Sequence, residues 1–216
     1  MLGVVLIYVG VVLILNGVGR LCNVDAKSSA VFNVFTGMLS FILNIVAVIQ
    51  GNYFAAGTGL LFGFTYLYIA ARSIFNLDGR LYGWYCLFVA INTIPLAFID
   101  ANTLKFIDFT VGNIYWVFIW LLWGLLWLTG FIELVLKKDL GKFVGYLSIF
   151  DGIVTAWIPG FLLLIPTVRT ANAFHKGSFI ERRHDLLQIF FGNPLSFCDF
   201  LDLYRLPLAV KRQIEH

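Results

Sequence analysis

The chain has 216 residues, 60% of them hydrophobic and 12% charged, with a mean hydropathy of +0.89 and a formal net charge of +3. No water-soluble domain of this length has that balance, so the chain reads as an integral membrane protein. The small net charge, with no basic patch, argues against a nucleic-acid binder, and three scattered cysteines (Cys22, Cys86, Cys198) without a CxxC argue against a disulfide framework.

The apolar runs are about 20 residues long, which predicts membrane-spanning helices rather than the shorter alternating strands of a barrel. Six spans fall at 2–19, 29–50, 56–74, 81–99, 113–136 and 143–166. The expected fold is all-α, a polytopic six-transmembrane-helix bundle over 1–166, followed by a tail at 167–216. Residues 1–19 lack the basic start of a cleavable signal and read as the first span. Arg20, Lys27, Arg72, Arg80, Lys137, Lys138 and Lys142 lie in the odd-numbered connections, whereas the even ones hold only Lys105. Short basic loops stay in the cytoplasm, so the N-terminus is expected outside. The tail mixes polar and apolar residues, and Pro194 interrupts its best apolar run, so no seventh span is read there.

Span 1 carries Leu2, Leu6, Val9, Leu13 and Asn16, spaced 4, 3, 4 and 3, as one stripe that ends in an amide. The apolar members alone would read as plain helix packing. Span 3 contains LLFGFTYL at 60–67, and span 5 contains LLWGLLWL at 121–128. Aligned, Phe62 falls on Trp123, Gly63 on Gly124, Thr65 on Leu126 and Tyr66 on Trp127. Each copy shows an aromatic pair at i, i+4 beside a glycine that lets a neighbouring helix approach. Trp116, Trp120, Trp123 and Trp127 share one helix face. Tryptophans that anchor a membrane helix sit at its ends, whereas the last three lie near mid-span, where an indole N–H needs a partner that lipid lacks. That face should look into the protein, lining either a packed core or a narrow path.

Span 6 holds the one carboxylate well within a span, Asp151. A group of this kind is costly at that depth unless it meets water or a partner, and so reads as functional ahead of a structural hydrogen bond. Antiparallel spans 1 and 6 should bring Asn16 and Asp151 to similar depth. Glu133, four residues before Lys137, reads as a surface pair on a last turn. Asn33, Asn44 and Asn92 read as interhelical hydrogen bonds, and Pro95 and Pro159 as kinks. No span holds a histidine or lysine, and HExxH and Walker motifs are missing. No nucleophile–base pair can be placed, so the chain is not expected to be an enzyme, and no cofactor or metal is expected.

Several segments together resemble the AmiS/UreI family of bacterial urea and short-chain amide channels. They are MLGVVLIYVG with Asn16-Gly17, GLLFGFTYLY at 59–68, LFVAINTIP at 87–95, LLWGLLWLTGFIE at 121–133 and GIVTAWIPG at 152–160. The resemblance covers residues 1–165 and leaves out the tail. It implies a homohexamer with a six-helix pore through each protomer. It further implies pore-lining roles for Leu2, Leu6, Val9, Leu13, Asn16, Phe62, Thr65, Tyr66, Trp120, Trp123, Leu126 and Trp127, and for a carboxylate in span 6. In acid-gated members that carboxylate is Glu, where this chain has Asp151. Those members also carry a long, histidine-bearing loop between spans 2 and 3, where this chain has only Gly51–Ala55.

The function this predicts is a passive channel in the bacterial inner membrane for urea or a small amide, supplying a cytoplasmic urease or amidase. A proton-coupled amide transporter using Asp151, and a non-conducting structural or receptor-like membrane protein, are the alternatives. All three histidines (His175, His184, His216) lie in the tail, so gating by histidines of the second loop should be absent.

Overall fold

The computed structural model of the protein describes residues 2–99, 107 and 110–164. The expected tail and most of the loop at 100–112, including Asp100, Lys105 and Asp108, lie outside the described residues. Among the described residues, six spans are long and apolar enough to cross a membrane. They are α1 (Leu2–Leu21), α2 (Ala26–Ile49), α3 (Tyr53–Phe75), α4 (Arg80–Phe98), α5 (Val111–Leu134) and a sixth in three pieces. That sixth span runs from α6 (Phe143–Asp151) through a π-helical turn (Gly152–Trp157) into α7 (Ile158–Leu164). Each expected boundary that falls on described residues lies within three residues of its observed place.

Helix starts follow capping chemistry. Asp25 accepts from Ser28 N at 3.2 Å, Asn52 from Ala55 N at 3.3 Å, and Thr110 from Asn113 N at 3.4 Å, each satisfying a first-turn N–H. α3 stops at Asn76, whose φ of 53° suits a left-handed cap. Each span touches the next in chain order, and α1 packs along the whole sixth span, so the six close into a ring. The closest partners are the hairpins α2–α3 and α4–α5.

Burying apolar surface does not drive helices together in lipid, so close backbone packing must do so. Gly3, Gly10 and Gly17, seven residues apart, run down the face of α1 that meets the sixth span. Opposite them stand Gly160, Gly152 and Gly145. A Cβ on Gly10 would lie 2.6 Å from Trp157 N and 2.8 Å from Gly152 O, and one on Gly17 2.6 Å from Gly145 O. The second row is spaced seven and then eight. The extra residue falls in the π-helical turn, whose wider turn keeps the glycines of both rows in register. Pro159 follows two residues after the turn; a proline crowds the carbonyl four residues back and supplies no N–H, so the regular ladder breaks here.

We predict that Gly10→Ala lowers stability by about 1–3 kcal/mol, because its Cβ meets backbone that cannot turn aside. Gly57→Ala, with nothing within 4 Å of its Cβ, should be tolerated. Thermal unfolding of both variants in detergent checks the pair.

Candidate functional site

The two aligned segments face each other at mid-span. The Phe62 ring of α3 stands edge-on to Trp123 of α5 at 4.7 Å and tilted to Trp127 at 4.9 Å, with Trp120 at 6.1 Å. Trp116, Trp120 and Trp123 continue edge-to-face along α5. Edge-to-face geometry sets the positive rim of one ring against the negative face of the next, which fixes the ring angles. The two glycines serve the hairpins: Gly63 lies against α2 at Ser40 and Phe41, and Gly124 against Thr93 of α4.

Two of the three mid-span indoles have partners. Trp127 Nε1 donates to Thr65 Oγ1 at 3.0 Å, and Trp123 Nε1 to Thr155 Oγ1 at 2.7 Å. Thr155 in turn donates to Asp151 O at 2.5 Å, and Tyr115 donates its hydroxyl to Val154 O at 2.9 Å. Trp120 Nε1 is buried without a hydrogen-bond partner among the described residues.

A cavity of about 390 Å³ rises from one end of the bundle to this aromatic layer. Phe62, Thr65, Tyr66, Trp123, Leu126 and Trp127 line its inner part, with Leu13 and Asn16 from α1. Its mouth is ringed by Arg20, Arg72, Ser29 and Glu133, where the odd-numbered connections lie. Beyond the layer, Leu6 packs in the same buried cluster as Trp120, while Val9 packs with Leu13, Tyr66 and Ala156. Leu2 is 46% exposed at the start of α1 and joins neither cluster. Of the thirteen residues named from the sequence, Leu2, Leu6, Val9, Trp120 and Asp151 therefore do not line this cavity.

Asp151 is fully buried, and both carboxylate oxygens lack a hydrogen-bond partner among the described residues. It lies within electrostatic range of the Tyr66 hydroxyl. The expected shared depth with Asn16 does not hold. Gly145 and Ile149 stand opposite Gly17, and Gly152 opposite Gly10, so Asp151 lies about five residues deeper than Asn16. At 1.5 Å per residue that is roughly 7 Å. Asn16 instead forms a reciprocal amide pair with Asn33 of α2, at 3.1 and 2.7 Å. Asn44 and Asn92 donate to Ser40 O and Phe88 O within their own helices, and among the described residues neither makes a hydrogen bond to another helix, although the Asn44 amide packs against Gly59 of α3.

The reading of Glu133 is also corrected. Lys137 lies past the end of α5 in a left-handed conformation (φ 56°), so no last-turn pair forms. Glu133 instead takes both terminal nitrogens of Arg20, one at 2.8 Å, and accepts from Leu140 N at 3.2 Å. Arg20 Nε donates to Gly141 O at 2.9 Å. A fork-to-fork pair thus ties α1, α5 and the loop before α6 across the mouth. Arg20, Arg72, Tyr82, Cys86 and Glu133 were not picked out as site residues from the sequence. Spacing carried a signal for one of them: Arg20 extends the α1 stripe by another four.

A model of the AmiS/UreI family transporters matches residues 1–167. The acid-activated urea channel of Helicobacter pylori is 48% identical, with 76% of this chain and 98% of that protein covered. A putative amidate substrates transporter protein of Mycolicibacterium smegmatis is 37% identical over 75% of this chain and 76% of its own length. The structure of the Helicobacter pylori urea channel in a closed state, determined by cryo-EM, superimposes with a TM-score of 0.69. It is 48% identical, covering 76% of this chain and 98% of that one.

Thr65→Val keeps the shape of the side chain but leaves the Trp127 N–H unpaired. It should cost about 1–3 kcal/mol and shift the tryptophan emission. Thermal unfolding with fluorescence detection checks both.

Proposed function

The chain belongs to the AmiS/UreI family of transporters, and from that premise we propose that it is a passive channel for urea or a small amide. One observation carries the reading: a cavity open at one face ends on Phe62, Tyr66, Trp123 and Trp127 at mid-span. Urea and simple amides are flat, neutral and rich in N–H donors. A slot between ring edges and faces admits a flat solute edge-on, and ring faces accept weak N–H contacts. An ion finds no ring of charges or carbonyls among these aromatic side chains to replace its hydration.

Solute leaves or enters through the cavity, and passage needs the rings of Phe62 and the tryptophans to part. Leu2, Leu6, Val9 and Trp120 continue the path on the far side. Asp151 supplies the solute or a water with an acceptor at the depth of the layer. The basic mouth faces the cytoplasm and the N-terminus lies outside, in a bacterial inner membrane. Six protomers form the assembly, and the solute feeds a cytoplasmic urease or amidase. A second reading, proton-coupled transport, rests on the same orphaned Asp151 carboxylate.

Stopped-flow solute entry into proteoliposomes tests these readings. Urea should equilibrate without accumulating against a gradient, and an imposed proton gradient should not drive it. Trp127→Ala and Tyr66→Ala should raise the permeability of a larger amide relative to urea by roughly tenfold, the scale on which pockets sense one methylene. Asp151→Asn should slow urea, and Asp151→Glu should largely keep it. Assembled variants that all conduct like the parent chain would reduce the aromatic layer to packing.

The turn between α2 and α3, Gln50–Asn52, holds no titratable group. Gating by histidines of that turn should therefore be absent, and an ungated pore would change in urea permeability by less than about twofold between about pH 5 and pH 8, where histidine titrates. A steep profile in the same liposomes would refute an ungated pore.

A further inference from the structure

The inner cavity holds two guanidinium groups that differ in one respect. Arg20 is neutralised by Glu133 and bonded to Gly141 O. Arg72, in the last turn of α3, has no hydrogen bond or ion pair from its side chain to any described residue, and its Nε is buried. Its guanidinium packs over Gly79, where a Cβ would stand 2.9 Å from Nε and 3.0 Å from Cζ. The described carboxylates of that face are committed elsewhere. Asp78 takes Arg80, Asp25 caps α2, and Asp139 stands 3.8 Å from Arg20. Cys86, also on the cavity wall, lies within electrostatic range of Arg72.

Several other donors of the cavity are spent as well. Thr65 donates to Leu61 O, Thr129 to Leu126 O and Ser148 to Leu13 O, while the Asn16 amide is paired with Asn33. A neutral amide that leaves the aromatic layer must rehydrate or find a donor for its carbonyl oxygen. Arg72 offers that donor in charge-assisted form. The same unpaired positive charge raises the energy of a cation in the cavity, as a lone Arg does in other pores.

The geometry points to Arg72 as a selectivity residue of the inner cavity, binding the carbonyl oxygen of a neutral amide and repelling a cation of the same shape. This rests on the channel reading above. The guanidinium ion is the discriminating probe, since it matches urea in shape but carries a donor and a positive charge where urea has its oxygen.

Proteoliposomes of the full chain should pass urea and exclude guanidinium. Arg72→Gln should raise the guanidinium-to-urea permeability ratio roughly tenfold and the half-saturating urea concentration about threefold. Arg72→Lys should keep guanidinium out. Arg72→His should exclude it near pH 5, with the imidazole charged, and admit it near pH 8, each compared with the parent chain at the same pH. An assembled Arg72→Gln with unchanged ratio and half-saturation, or an Arg72→His ratio that tracks the parent chain at both pH values, overturns the assignment alone. A parent chain that passes no urea or amide overturns the channel reading and the assignment with it.

Discussion

The bundle depends on the contact between α1 and the sixth span, where backbone meets backbone. In lipid no hydrophobic force draws helices together, and dispersion at short range falls away with every added methyl group. Gly3, Gly10 and Gly17 give α1 a flat face, and Gly145, Gly152 and Gly160 answer it. That contact joins the first and last described spans and closes a ring that otherwise rests on two tight hairpins. It also holds Leu13 and Asn16 against the central cavity, because the glycine face and the stripe are different sides of one helix.

The π-helical turn is bound up with the same contact. A straight α-helix with glycines at 145 and 152 would bring residue 159 opposite Gly3, and residue 159 is a proline. One inserted residue puts Gly160 there instead. Widened turns also leave carbonyls without their usual partners. α5 takes up one of these, since Tyr115 donates to Val154 O. The neighbouring Thr155 side chain receives the Trp123 indole. The packing device of one interface thus supplies the fixed points for the aromatic layer at another.

The sequence made the six spans and their order legible because hydropathy depends on nothing beyond the chain itself. The repeat marked Phe62, Trp123 and Trp127 as equivalent positions without showing that they meet, and the mid-span indoles announced an inward face because lipid cannot bond them. The π-helical turn was not legible. Its sign, a glycine spacing of eight after seven, has meaning only once Gly3, Gly10 and Gly17 are known to lie opposite. Depth failed for a related reason. Asn16 and Asp151 were counted from helix ends, but the register is set by glycines, and Ile149 faces Gly17. Glu133 was misread because a local partner at i+4 was counted and a distant one, Arg20, 113 residues away, could not be.

Charge in this protein is placed by what surrounds each group. At the mouth, Glu133 satisfies Arg20 and a backbone N–H while remaining partly wet, so neither ion bears the full cost of burial. Asp151 is different. Its backbone carbonyl is engaged by Thr155, yet its carboxylate oxygens have no described partner at 0% exposure. A carboxyl left so in a membrane interior would be replaced by a neutral residue if packing alone set the sequence, since the unpaired group costs several kcal/mol, on the order of a whole buried hydrogen bond or more. On the channel reading proposed above, a small polar molecule crossing the aromatic layer would meet it at the start of the π-helical turn, within electrostatic range of the Tyr66 hydroxyl.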